Sequence, residues 1–211
     1  MKKIYGTILA GGYGTRLHPM TISTNKHLLS IYDKPMIYFP MQRLLDLGLE
    51  DITILTMPEF IPEFNKHFGD GRQLNTNIHY VGQEKAGGIA EALMLCLPKK
   101  EDPKILSVND TPLVTTRLIL PKEDGKIIAI LGDNYFGSTI KVPKEALEDN
   151  NAYILIKKVA DPTHFGCCKY DENGDLEQII EKPKNPPSKD IVTGFYIYPI
   201  NSLRGMPELN A

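Results

Sequence analysis

The sequence predicts an α/β fold, a mostly parallel central sheet flanked by helices and carrying antiparallel strands on one side. Three observations lead there. An apolar strand runs directly into a glycine-rich loop in Ile8-Leu9-Ala10-Gly11-Gly12-Tyr13-Gly14-Thr15-Arg16-Leu17. Strand-like and helical runs then alternate as far as Ile127–Leu131, a continuous apolar strand of the type buried on both faces of a parallel sheet. The last third is richer in short strands and holds the hairpin signal Asn173-Gly174.

Taken in order, Ile4–Leu9 is the first strand, and Ile31–Pro35 is a turn-bearing approach to a helix over about Met36–Leu47. Pro40 suits the first turn of that helix, where no N–H is missed, and Gly48 suits its C′ stop. Asp51–Thr56, rich in β-branched residues, is the second strand. A helix over Pro58–Phe68 places Phe60, Ile61, Phe64 and Phe68 at helical spacing, a core stripe. Asn77–Val81 is a strand running into Gly82-Gln83, and Ile89–Leu97 is helical. Lys99–Gly125 mixes charge and proline with two apolar runs, Ile105–Val108 and Leu118–Leu120. Ala152–Val159, Gly166–Tyr170, Leu176–Ile180 and Ile191–Tyr198 complete the strands, and Lys184–Lys189 is a proline-rich loop.

Composition narrows the function classes. With 211 residues, 42% hydrophobic and 24% charged, the chain is long enough for one sizeable core and is not a disordered polymer. A net charge of -2 gives no basic field for a nucleic acid polymer or an acidic membrane. No apolar run spans a bilayer, and Met1-Lys2-Lys3 precedes a strand rather than a signal-peptide core, so a cytoplasmic protein is expected. Three cysteines agree with a reducing compartment. His164-Phe165-Gly166-Cys167-Cys168 matches no zinc spacing; two small apolar residues on a strand is the preferred account.

The glycine loop is built to hold phosphate, because glycines bring backbone N–H groups close to anionic oxygens and Arg16 can grip them with two donors. It is not the dinucleotide fingerprint, since Leu17 stands where that pattern needs glycine, and no P-loop motif occurs. Thr15, Arg16 and Lys26 supply donors of different reach for a triphosphate, although Lys26 alone also reads as an ordinary solvated lysine. Asp133 sits just past the carboxyl end of a buried strand, where open α/β sheets bind their ligands, and can hold Mg²⁺ against phosphates.

Gly11–Leu17, Lys26-His27-Leu28-Leu29 and Asp33-Lys34-Pro35-Met36-Ile37-Tyr38 resemble the opening of sugar-1-phosphate nucleotidylyltransferases, glucose-1-phosphate thymidylyltransferases above all. The likeness resumes at Leu131-Gly132-Asp133-Asn134, Phe165-Gly166, Glu181-Lys182-Pro183 and Val192-Thr193-Gly194-Phe195-Tyr196. It implies a Rossmann-like fold of the nucleotide-diphospho-sugar transferase type. It also implies transfer of a nucleotidyl group from dTTP or UTP to a hexose 1-phosphate with Mg²⁺, and a homo-oligomer. Arg16 and Lys26 are the implied charge stabilisers; Leu9, Gly11, Gly12, Gly14, Thr15, Gln83 and Gly88 the nucleotide side; and Asp133 the metal ligand. Asn134, Gly166, Glu181, Lys182 and Val192 are the implied sugar-phosphate side, with Tyr198 a weaker candidate. Without the resemblance, Glu181-Lys182 reads as a surface ion pair and Gln83 as a loop glutamine. The motif order divides a single domain over 1–211 into a nucleotide part, about 1–135, and a sugar-phosphate part, about 136–211.

Three departures from the resemblance bear on expectations. Ser30 replaces a proline usual in relatives, which should change loop stiffness more than chemistry. Lys99–Gly125 reads as an insertion whose Ile105-Leu106-Ser107-Val108-Asn109-Asp110 imitates the Asp133 strand, making Asp110 a competing metal ligand. The second metal aspartate of relatives, in a Trp-Leu-Asp-Thr-Gly-like segment, has no counterpart among these residues, which contain no Trp. Metal affinity or turnover is therefore expected to fall unless another acid, such as Asp171, substitutes; a non-catalytic nucleotide-binding protein is the alternative. A glycosyltransferase is a third reading, disfavoured because no Asp-x-Asp motif ends a strand.

Overall fold

The computed structural model describes residues 2–84, 88–96, 106–108, 111–113 and 125–204. It divides into two compact units, Met1–Ala152 with Ile197–Ala211, and Tyr153–Tyr196. The motif-based division near 135 falls inside the first of these.

In the first unit, β1 (Lys3–Ala10) is buried from Tyr5 onward. The phosphate-type loop follows, with 3-10 turns at Thr15–Leu17 and Lys26–Leu28. β2 (Ser30–Ile31) and β3 (Lys34–Pro35) pair as a minimal hairpin. α1 (Tyr38–Asp46) begins two residues later than Met36; just before it, the otherwise free Met36 and Ile37 N–H groups donate to Leu29 O and His27 O. Its end is a Schellman closure: the Gly48 N–H donates to Leu45 O at 2.9 Å and the Leu49 N–H to Leu44 O at 3.5 Å, with Gly48 at φ 70.

β4 (Asp51–Thr56) is wholly buried. The next helix splits into a 3-10 turn, Pro58–Phe60, and α2 (Ile61–Phe68), whose Ile61, Phe64 and Phe68 lie in the core. β5 (Asn77–Gly82) and α3 (Gly88–Leu95) follow. β6 (Leu106–Val108) and β7 (Thr111–Leu113) pair with each other in a separate two-stranded sheet. The Leu106–Val108 stretch is thus a hairpin arm, which corrects its likeness to the strand leading to Asp133; Ile105, Asn109, Asp110 and Leu118–Leu120 lie outside the described residues.

β8 (Gly125–Leu131) and α4 (Lys144–Glu148) complete this part of the chain. Within the unit the sheet runs β8-β1-β4-β5, all parallel, with Ile8 opposite both Ile54 and Ile130. Those three isoleucines share one face and Thr7, Thr53 and Ala129 the other; all six are buried, as a sheet covered on both faces requires.

The second unit is antiparallel. β9 (Tyr153–Lys158), β10 (Gly166–Tyr170), β11 (Leu176–Glu181) and β12 (Asp190–Pro199) give the order β11-β10-β12, with β9 also paired to β12. The last residues of β12 and α5 (Ile200–Arg204) count with the first unit. The Asn-Gly signal marks the β10–β11 hairpin, but the turn is longer than two residues because only Gly174, not Asn173, has positive φ. Asp171 Oδ1 accepts from the Asn173 and Asp175 N–H groups, each at 2.9 Å. Asp171 therefore fastens its own turn. Cys167 and Cys168 are both buried and free, as small apolar strand residues. Among the described residues no helix is long and apolar enough to cross a membrane.

Two stability predictions arise here. Gly71 has φ +86, and a Cβ there would lie 2.5 Å from Thr76 O and 2.8 Å from Ile78 Cγ1. Gly71→Ala is expected to cost at least ~2 kcal/mol from backbone strain plus overpacking, read as a lower urea midpoint. The second concerns Asp51, which receives Lys3 Nζ at 2.8 Å and hydrogen bonds from Asn77 and His79. Burial works to raise its carboxyl, but these partners outweigh burial and hold it below the usual carboxylate value. A depressed folded pKa stabilises above the unfolded value and is lost as pH falls through the folded one. Asp51→Asn should therefore flatten the fall in melting temperature below about pH 4, a carboxylate's ordinary value; an unchanged acid limb would contradict this.

Candidate active site

At the head of β1 the chain turns sharply, and the glycines there have separate reasons. Gly12 and Gly14 take φ 99 and 62, which side-chain-bearing residues rarely adopt. Gly14 O accepts from the Leu17 N–H and from Thr21 Oγ1, both at 2.8 Å, closing the loop. Gly11 is needed for close approach: a Cβ there would stand 2.9 Å from Gln83 Oε1. Thr15 and Arg16 are exposed on the loop, and Arg16 makes no ion pair or hydrogen bond with a described residue.

Gln83 follows β5, its backbone N–H donating to Thr56 O at 2.8 Å. Its side chain is 4% exposed, and its Nε2 has no partner among the described residues. A buried amide donor left unmade costs roughly 1–3 kcal/mol, so a ligand carbonyl brought to it gains that amount. Gly88 opens α3 at φ 88, with 85–87 between it and Gln83 outside the described residues.

On the neighbouring strand, Gly132 follows the end of β8 and donates its N–H to Leu9 O at 2.9 Å. That bond delivers Asp133 beside the glycine loop, where Asp133 Oδ2 meets Lys26 Nζ at 2.6 Å. Burial acts to raise the Asp133 carboxyl, and the Lys26 hydrogen bond and charge override it, holding the group ionised below its ordinary value. Motif reading assigned these two residues separate tasks; the fold makes them partners. Residue 27, mentioned only within a motif, is also placed here: His27 is 1% exposed and its imidazole is pushed down to about 3, by burial first and the Lys26 charge second. Asn134, next along, is half-buried with its N–H donating to Leu131 O.

The residues suit Mg²⁺ in one respect that can be tested on donor chemistry. Mg²⁺ commonly takes one or two protein carboxylates and fills its octahedron with phosphate oxygens and water. An ionised, partly exposed Asp133 meets that need; among the described residues no cluster of three or more His, Cys, Asp or Glu makes an all-protein cage.

The second unit gathers its own group. Gly166 stands opposite Glu181 in the β10–β11 register, and a Cβ on it would lie 3.3 Å from Glu181 Oε2 and 3.9 Å from Val192 Cβ. Glu181 and Lys182 pair at 2.8 Å and are well exposed. Lys182 takes φ 43, a left-handed conformation rare for lysine, and its N–H donates to Phe165 O at 3.0 Å. That hydrogen bond holds the backbone in this conformation, while the side-chain pair lies at the surface. Tyr198 lies on β12 and is half-buried.

Comparison with known proteins gives a consistent family. A family model described as nucleotidyl transferase matches residues 5–204. A glucose-1-phosphate thymidylyltransferase of Mycolicibacterium smegmatis is 34% identical over 195 residues, covering 92% of this chain and 60% of the relative. One of Neisseria gonorrhoeae is 34% identical over 196 residues with the same coverages. The chain thus spans about three fifths of the length of these curated relatives. A crystal structure from Bacillus anthracis, provisionally assigned as a glucose-1-phosphate thymidylyltransferase and holding sucrose, superposes with a TM-score of 0.78 at 34% identity. It covers 99% of this chain and 76% of that one. A UDP-glucose pyrophosphorylase complexed with UDP-glucose, 21% identical with a TM-score of 0.68, shares the fold. On the match over residues 5–204 and on these identities, the chain belongs to the nucleotidyl transferase family.

Proposed function

We propose that the chain transfers a nucleotidyl group from dTTP, or UTP, to a hexose 1-phosphate, glucose 1-phosphate first, giving the nucleotide-sugar and pyrophosphate. The observation that carries this reading is an exposed Arg16, without a partner among the described residues, on a glycine loop flanked by the Lys26–Asp133 pair. The relatives matched are named as thymidylyltransferases, which favours turnover over binding alone.

The chemistry follows from charge. A sugar-phosphate oxygen attacks the α-phosphorus in line with the departing pyrophosphate. The nucleophile is already an anion, so no strong general base is needed; the barrier lies in bringing anions together and stabilising charge on the leaving oxygens. Arg16 grips the pyrophosphate side with two donors, and Lys26 neutralises the same region. Gly11, Gly12, Gly14 and Thr15 offer backbone and hydroxyl donors. Leu9 and Gly88 complete the nucleotide side, and the orphan Gln83 Nε2 donates to a pyrimidine carbonyl. Mg²⁺, when bound at Asp133, would neutralise phosphate charge. Lys182 takes the acceptor phosphate, and Glu181, Gly166, Val192 and Asn134 the sugar.

The test is a nucleotide panel with glucose 1-phosphate, with and without Mg²⁺, read as pyrophosphate. Release from dTTP or UTP well above an Arg16→Ala control supports the reading, and equality with that control overturns it. Gln83→Leu gives a prediction of opposite signs. Removing the orphan donor should leave folding stability equal or higher, while thymidine nucleotide affinity falls about tenfold by calorimetry. The same reading assigns the protein to the cytoplasm, where three buried free thiols stay reduced, and to a homo-oligomer, to be checked by sedimentation.

A further inference from the structure

We propose that His27, seated by Asn25, is a positioning residue that sets the spacing of Lys26 and Asp133. This rests on the nucleotidyl-transfer reading, and nothing in that chemistry uses His27 directly. Lys26 and Asp133 are 107 positions apart, so the fold must supply something that fixes the approach of their carrying segments. The Asn25–His27 group is packed where that is done.

Asn25 is 1% exposed. Its Nδ2 donates to Ala10 O at 3.4 Å, the last residue of β1. Its Oδ1 accepts from the His27 N–H at 2.9 Å and faces His27 Nδ1 at 2.6 Å. An amide oxygen only accepts, so Nδ1 carries the ring proton and the neutral ring's Nε2 is bare. The opposite edge of the ring lies on Gly132: a Cβ there would stand 2.8 Å from His27 Cδ2 and 3.2 Å from Nε2. His27 O accepts the Ile37 N–H at 2.9 Å, just before α1. His27 is thus tied through Asn25 to the exit of β1, through its ring to the exit of β8 and through its backbone carbonyl to the approach to α1. It is one residue from Lys26 on one side and touches the residue before Asp133 on the other.

The residue types suit the task. The contact with Gly132 leaves no room for a Cβ, so the ring sets how far the Asp133 turn can settle toward β1. The Asn25 bonds fix the ring's rotation, which a purely apolar filler could not do. At 1% exposure the ring does not reach a bound substrate, so its action passes through its neighbours. A displacement of about 1 Å at reacting charges can cost 10²-fold in rate, and that is the lever a positioning residue controls.

The experiment is a double-mutant cycle of His27→Ala and Lys26→Ala, read in kcat and in dTTP binding by calorimetry without metal. His27→Ala is expected to lower kcat about 10- to 100-fold in the wild-type background and less than threefold in the Lys26→Ala background. Binding should show the same loss of additivity. His27→Asn, which keeps a donor for Asn25, should recover part of kcat, whereas His27→Phe, which keeps only the ring, should not. Equal factors in both backgrounds, or His27→Ala within threefold of wild type, would overturn the proposal. If His27→Ala fails to fold, His27→Phe, which also loses the Asn25 bond, serves in the cycle under the same criterion. A wild type without turnover would sink the nucleotidyl-transfer reading alone, because the calorimetric cycle still reports the coupling.

Discussion

Arg16→Ala is expected to lower pyrophosphate release by about 10²–10³-fold, the range seen when a preorganised donor to developing charge is removed. Arg16 is exposed and makes no bond or ion pair with a described residue, so the fold does not depend on it. The melting temperature should therefore stay within about a degree, since exposed positions without partners contribute little to stability. The contrast with Lys26 is informative. Lys26 is already joined to Asp133, so Lys26→Ala both removes a cation and releases a carboxylate. Arg16→Lys should recover only a minor part of the loss, because an ammonium cannot make the paired donor contact of a guanidinium. Initial rates over a dTTP series check all three variants. A loss below tenfold for Arg16→Ala would remove Arg16 from the charge-stabilising role.

What the sequence reveals and what it hides divide along physical lines. The parallel strands are legible because each is a short apolar run bounded by turn residues, and their burial is a local property. The glycine loop is legible for the same reason: Gly12 and Gly14 stand where φ must be positive. The α1 stop at Gly48 is a local rule of helix ends. The start of α1 is not: the chain before it is tied down by the Met36 and Ile37 N–H bonds to Leu29 O and His27 O, which helix periodicity does not show. The β10–β11 hairpin is legible in its two strands and its Asn-Gly signal, but the closure of its turn by the Asp171 carboxylate is not. At the site, each residue type was readable but its partners were not. Lys26 with Asp133, and His27 with Gly132, join segments far apart in sequence, and no spacing rule spans that distance. Gln83 shows the same limit: its residue type suggests a base contact, while only its burial and its orphan Nε2 give that suggestion an energy.

The largest stability asymmetry is expected at a lysine that motif reading passed over. Lys126 lies on β8 opposite Ile4, with its side chain 0% exposed. Its Nζ donates to Asp149 Oδ1 at 2.9 Å and to Asn151 O at 2.6 Å. Asp149 is different: its side chain is 29% exposed and also accepts from the Asn151 N–H and Nδ2 at 3.1 and 2.8 Å. Asp149→Ala therefore takes the Asp149 carboxylate from a fully buried ammonium, and breaking a buried pair from one side costs about 3–5 kcal/mol. Lys126→Met removes the charge, keeps most of the volume, and leaves Asp149 its Asn151 bonds. It should cost no more than about 1 kcal/mol and can even stabilise, because the desolvation of the ammonium disappears with it. Asp149→Asn, which keeps an acceptor but no charge, should fall between them. Urea midpoints at pH 7 read all three. Equal losses for Asp149→Ala and Lys126→Met would mean that packing, not the buried charge, governs this end of the sheet. If the order holds, the double variant Asp149→Ala with Lys126→Met should be more stable than Asp149→Ala alone, a rescue that only the charge account predicts.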